Sequence, residues 1–197
     1  MIEYMMKYDM QPTSVERDEQ RSMRVYKIVF YVCAAIMIII TAYACAESIR
    51  EYLATGKVVI GEVLVDTEFP IKGLAKLVTY LMISSVVGWY CVTKLGRRKT
   101  ENMSKTARSM LRLLALAIAV VTFYEVIYNF VVWNALMTAD AISGIIRIDV
   151  LNIPYPNPTT PWSLVFATKM FLSAFVISSH AFYLMSRPDS KLLPEQV

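Results

Sequence analysis

Four apolar runs decide what this chain can fold into: Val25 to Ala46, Leu74 to Leu95, Leu113 to Leu136 and Trp162 to Met185. Each reaches the roughly 20 residues that an α-helix needs to cross a hydrocarbon core about 30 Å thick. Lipid offers no hydrogen bonds to the backbone, so a lone run of this kind closes its own bonds as a helix. The expected fold is an all-α integral membrane protein, a four-transmembrane-helix bundle over residues 25–186, with an N-terminal segment 1–24 and a tail 187–197. No room remains in the 197 residues for a separate soluble domain. The composition agrees, with 56% hydrophobic residues, only 18% charged and a mean hydropathy of +0.47.

A cleaved leader is the competing use of the first run, because TAYACAES places Ala44 and Ala46 at a spacing that suits a signal peptidase. Residues 1–24 make a long lead for such a signal, and the run is read as an uncleaved span. Basic residues outside the spans are unevenly placed. Lys7, Arg17, Arg21, Arg24 and Lys27 stand at the first end, Lys94, Arg97, Arg98, Lys99, Lys105, Arg108 and Arg112 around the second link, and Arg187 and Lys191 in the tail. The other side holds Arg50, Lys57, Lys72, Lys76 and Arg147. By the positive-inside rule, both termini and the second link are expected in the cytoplasm, in a multi-pass protein of the cell membrane. The formal net charge of +4 then reflects topology, and no nucleic-acid partner is expected. GRRKTENMSKTARSMLR is placed to meet anionic headgroups, so lipids are expected contacts.

The segments between spans carry their own signals. Thr13 or Ser14 is a candidate cap before VERDEQRSMR, which predicts a short helix on or leading into the membrane. The first span is expected to continue through AESIREYLAT to a stop at Gly56. KVVIGEVLVDTEF and GIIRIDVLN then alternate apolar and polar residues and are rich in β-branched side chains, predicting short outer β-strands, with pairing into one small sheet over the bundle left open. NIPYPNPTTPWS is a Pro-rich outer segment, with Pro154, Pro156, Pro158 and Pro161 imposing an extended path. It ends with Thr160 as a helix cap, Pro161 at the first helical position and Trp162 at headgroup level. Tyr155, Pro156, Pro158 and Trp162 make a candidate partner surface, with a plain ordered connection as the alternative.

Glu125, in VTFYEVIYNF, stands near the middle of the third span, where an ionised carboxylate costs about 2.5–3.5 kcal/mol on insertion scales. Thr122, Glu125 and Asn129 share one helix face, with Tyr128 beside them. Lys169 in the fourth span lies at a depth similar to Asn129, so Glu125 and Lys169 are the candidate structural polar pair, supported by Asn129, Tyr128 and Ser173. Three roles are open: a pair that fixes register, a pair shared with another subunit, or a proton-linked carboxylate. Lys169, Ser173 and His180 also fall along one stripe.

His180 is the sole histidine, so this chain alone cannot supply a site of two or three imidazoles. Cys33, Cys91 and His180 all fall in the cytoplasmic third of their spans, and a thiolate–imidazole metal site can be drawn from them. Packing is the simpler use of such residues. Cys33, Cys45 and Cys91 give no CxxC spacing. Ser84, Ser85 and Gly88 make a small-residue face on the second span, and Ala34, Ala35, Ala42 and Cys45 offer something comparable on the first. Walker, GxGxxG, HExxH, CxxCH and GxSxG motifs are absent from the sequence.

Two function classes follow. One is a non-catalytic structural or accessory subunit of a multi-subunit integral-membrane complex, which is not an enzyme by itself. The other is a small proton-coupled carrier in which Glu125 works beside a cavity lined by Tyr124, Tyr128 and Trp133. The first span offers only Thr41 and tyrosines as polar groups, which favours the subunit. In its four spans, its Met- and Tyr-rich helices and the segment IPYPNPTTPWSLVF leading into the last span, the chain resembles the small accessory membrane subunits found with archaeal ammonia monooxygenase. That resemblance implies a place in a copper-dependent membrane monooxygenase complex whose copper ligands lie on partner subunits. It transfers no catalytic residue to this sequence.

Overall fold

The computed structural model describes residues 14–56, 61–72, 75–97, 100, 102–144 and 163–186. Its helices, in chain order, are α1 (Ser14–Thr55), α2 (Glu62–Asp66), α3 (Leu77–Leu95), α4 (Lys105–Ile142) and α5 (Leu164–Ser186). All except α2 are long and apolar enough to cross a membrane, which makes this a multi-pass membrane protein. Two of them overshoot the span lengths expected from the apolar runs. α1 has 42 residues and α4 has 38, so at 1.5 Å per residue they reach ~63 and ~57 Å.

The helix ends follow local chemistry. α1 starts at Ser14 and runs unbroken into the membrane segment, so the expected short N-terminal helix is the first turns of the span itself. It stops at Gly56, whose φ of +70° turns the chain while its N–H bonds the Tyr52 carbonyl at 2.8 Å. Ser104 caps α4 by accepting the Ala107 N–H at 3.2 Å. Ser163 does the same for α5, accepting from Phe166 N–H at 3.1 Å. The cap thus falls at Ser163, beyond the expected Thr160–Pro161 start, which lies outside the described residues.

The spanning helices form a row in the order α1, α3, α5, α4. α4 packs on α5, α1 packs on α3, and α3 joins α5 in the middle, while no extended contact joins α1 to α4. Burial of the apolar windows follows this order: 28% for α3 and 22% for α5, against 11% for α1 and 17% for α4. Each outer helix has a neighbour on one side only. The α1–α3 contact is close because Gly88 is buried and an added Cβ there would stand 3.5 Å from the Cys33 Cβ. Ser84, Gly88 and Cys91 are buried along that face of α3, as the small-residue spacing predicts. The matching face of α1 differs from expectation: Cys33 and Ile40 are its buried residues, whereas Ala35, Ala42 and Cys45 are exposed.

The expected strand through KVVIGEVLVDTEF is corrected over its described part. Residues 62–66 form the helical turn α2, entered through Gly61 at φ +84°. Consecutive Leu64 and Val65, 6% and 1% exposed, are both buried, which a strand exposing alternate residues to one core could not achieve. They pack with Ile40, Leu77 and Val78, so α2 plugs the end of the row between α1, α3 and α5. Glu68 and Lys76 form an antiparallel bridge, closed by their 3.1 Å ion pair and by Tyr80 donating to the Phe69 carbonyl at 2.9 Å. Residues 57–60, the second expected strand from Ile145, the Pro-rich segment and the tail lie outside the described residues. So do Tyr155, Pro156, Pro158 and Trp162.

Candidate functional site

The polar groups of the membrane segments fall into three places, and α5 sorts them. Its stripe Lys169–Ser173–His180 turns toward α3. Lys169 Nζ donates to Thr79 Oγ1 at 2.7 Å, and Trp89 Nε1 donates to His180 Nδ1 at 3.2 Å. These bonds join residues 90 and 91 positions apart, so α3 and α5 run parallel in constant register. Ser173 is buried in the same stripe and returns its hydroxyl to the Met170 carbonyl at 2.8 Å. The stripe read from sequence is a real face, and its partner is α3.

Glu125 and Lys169 are therefore not brought together. Phe123 on α4 meets Phe175 on α5 with ring centroids 5.2 Å apart, which in an antiparallel pair sets Lys169 level with Asn129, about one turn from Glu125. The depth of Lys169 matches the expectation, but its ammonium turns around the helix to Thr79. A hydrogen bond from a charged donor contributes about 1.5–3 kcal/mol. Thr79→Val is expected to destabilise the protein by about 2 kcal/mol in a detergent unfolding titration, with Thr79→Ser close to wild type because it keeps the acceptor.

The face of α4 that meets α5 is a seam of small and polar residues: Ala115, Ala119, Thr122 and Asn129 are buried. Thr122 spends its hydroxyl within α4, on the Ile118 carbonyl at 2.7 Å. Asn129 is 0% exposed, and neither its amide nitrogen nor its amide oxygen has a partner. It forms part of the wall of a cavity of about 210 Å³ between α4 and α5, with Phe130, Trp133, Leu164, Thr168 and Lys169. The seam is legible in the sequence as small residues four, three and seven apart, a kind of spacing that α1 and α3 carry as well.

Glu125 stands at the edge of this seam, half-buried. On its flank Tyr124 and Tyr128, 63% and 41% exposed, stack with centroids 6.2 Å apart and planes at 16°. Among the described residues, the Glu125 carboxylate has no ion pair or hydrogen bond, and the two phenol hydroxyls have no hydrogen bond.

The third place is the far end of the row. There Tyr26 on α1 packs edge-on against Tyr90 on α3 at 6.2 Å, Tyr90 meets the His180 ring at 5.9 Å, and Lys94 Nζ lies 5.1 Å above Tyr90. The indole can only donate, so His180 Nδ1 is the accepting nitrogen and that atom is committed to Trp89. Cys33 and Cys91 are buried on α1 and α3. Among the described residues no three His, Cys, Asp or Glu gather into a group that could hold a metal ion, so Cys33, Cys91 and His180 are not brought together as one. This end is an aromatic clamp across α1, α3 and α5. No family model, curated protein or solved structure matches the chain.

Proposed function

We propose that this protein is a non-catalytic subunit of a larger integral-membrane assembly, held in the cell membrane with both termini and the α3–α4 link in the cytoplasm. The observation that carries the reading is Glu125: a carboxylate at mid-span, on an outer helix of the row, with no partner among the described residues. A membrane protein that keeps such a group near the bilayer centre stabilises it by contacts, and contacts from a neighbouring chain fit an outer helix. A carrier would set Glu125 on a polar path shared by several helices. Here the cavity near it is walled mainly by apolar side chains, and the inner helices α3 and α5 spend Lys169 and His180 on each other. The copper monooxygenase complexes that the sequence resembles are the class of assembly to test first, with copper held by partner subunits.

Native mass spectrometry of the protein, extracted gently from its own membrane, tests this. Stoichiometric co-migration with larger membrane chains is the expected result. A homo-oligomer carrying no other chain overturns it and returns the weight to a carrier that uses Glu125.

A further inference from the structure

We infer that the Tyr124–Glu125–Tyr128 face of α4 receives a transmembrane helix of a partner subunit that carries a lysine or arginine at mid-membrane depth. The inference rests on the subunit reading above and adds the chemistry of the partner.

Three polar groups meet on that face: one carboxylate and two phenol hydroxyls. The two rings stack one turn apart and are largely exposed, and none of the three polar groups bonds to the described chain. A single unpartnered tyrosine at a membrane surface is ordinary, because headgroups and water satisfy it. Both tyrosines flank Glu125 in the middle third of α4, within its apolar segment and far from the headgroup levels toward its ends.

Charge complementarity then selects the occupant. A carboxylate in lipid is stabilised best by a cation that also donates hydrogen bonds, and two flanking phenols suit such a cation as acceptors and as ring faces. A second copy of this chain does not supply one. Within its spans the basic residue away from the ends is Lys169, which is bonded to Thr79 across the α3–α5 contact, a turn away in depth from Glu125. A symmetric α4–α4 contact would instead bring carboxylate against carboxylate. The occupant is therefore a different chain, and its defining feature is one basic side chain in an otherwise apolar helix.

The test uses the full-length protein, dye-labelled and reconstituted in lipid bilayers, with synthetic transmembrane peptides as probes. One peptide is a run of about twenty leucines, and the others carry a single central lysine, arginine, glutamine or glutamate. Energy transfer is expected to show the lysine and arginine peptides associating about tenfold more strongly than the all-leucine peptide, with the glutamate peptide no better than leucine. Glu125→Gln should remove most of that preference. Glu125→Lys should transfer it to the glutamate peptide, and Tyr124→Phe with Tyr128→Phe should weaken it about threefold. Retained helix content by circular dichroism shows that each variant still folds. Equal association of all peptides, or a preference that survives Glu125→Gln, overturns the inference. Self-association of the labelled protein that exceeds its capture of the lysine peptide also overturns it. If native mass spectrometry finds larger partner chains while the peptides show no preference, the subunit reading stands and this docking chemistry alone fails.

Discussion

Alanine at Gly61 is expected to destabilise the protein by about 3 kcal/mol or more, the larger of two glycine effects that the structure separates. Gly61 sits at φ +84°, where an L side chain is strained by about 1–2 kcal/mol. An added Cβ would also lie 2.5 Å from Cγ of the Phe166 ring, with two further ring carbons at 2.7 and 2.8 Å. Overpacking of that kind adds about 1–3 kcal/mol, because α2 and the first turns of α5 must move apart to relieve it. Gly56 is the control: its φ is +70° but a Cβ there meets nothing within 4 Å, so Gly56→Ala should cost only about 1 kcal/mol. Detergent unfolding of both variants, with Phe166→Leu added to Gly61→Ala, separates strain from overlap. Partial recovery by the second substitution is the expected outcome, and equal losses at Gly56 and Gly61 would show that the α2 plug does not press on Phe166.

Asn129→Leu should act in the opposite direction and raise stability by about 1–3 kcal/mol. The amide is fully buried and both its polar atoms lack partners, so the folded chain carries a desolvation cost that leucine, branched at the same carbon and with the adjoining cavity to take its larger methyls, does not. Asn129→Asp should be worse than wild type, because a carboxylate at that position adds charge to the same deficit. A leucine variant that unfolds earlier than wild type would mean that Asn129 finds its hydrogen bonds in the membrane, from water or from another molecule. Natural sequences keep stability below its maximum where a site does other work, which makes Asn129 a position to test in the native membrane as well as in detergent.

The helices were legible because apolar length is a one-dimensional property. Val25 to Ala46 and Leu113 to Leu136 lie within α1 and α4 even though those helices run well past them. What the sequence does not carry is which helix neighbours which. The depth of Lys169 follows from counting residues, while its direction around the axis, and so its bond to Thr79 in place of Glu125, follows from packing. α5 lies between α3 and α4, and the stripe holding Lys169 and His180 turns to α3. The outer strand at Gly61 to Asp66 failed for a related reason. Over so few residues, alternation of Val63, Val65 and Leu64 is compatible with either period, and burial of adjacent Leu64 and Val65 in a shared core decides for a helical turn. Glu125 is legible from sequence alone as a carboxylate inside an apolar run, and the fold sets it half-buried at the edge of the α4–α5 seam.

The length of α1 has a mechanical consequence. A helix of 42 residues without a break is a stiff rod of ~63 Å, about twice the thickness of the hydrocarbon core. Among the spanning helices it packs along α3 alone, with the short α2 against its second half, so it can lean as a unit on that one flank. A lean of about 10° about its midpoint carries each tip some 5 Å sideways, in opposite directions on the two faces of the bilayer. Force applied to the tip at Ser14 would thus be felt at Thr55 without any rearrangement of the chain between them.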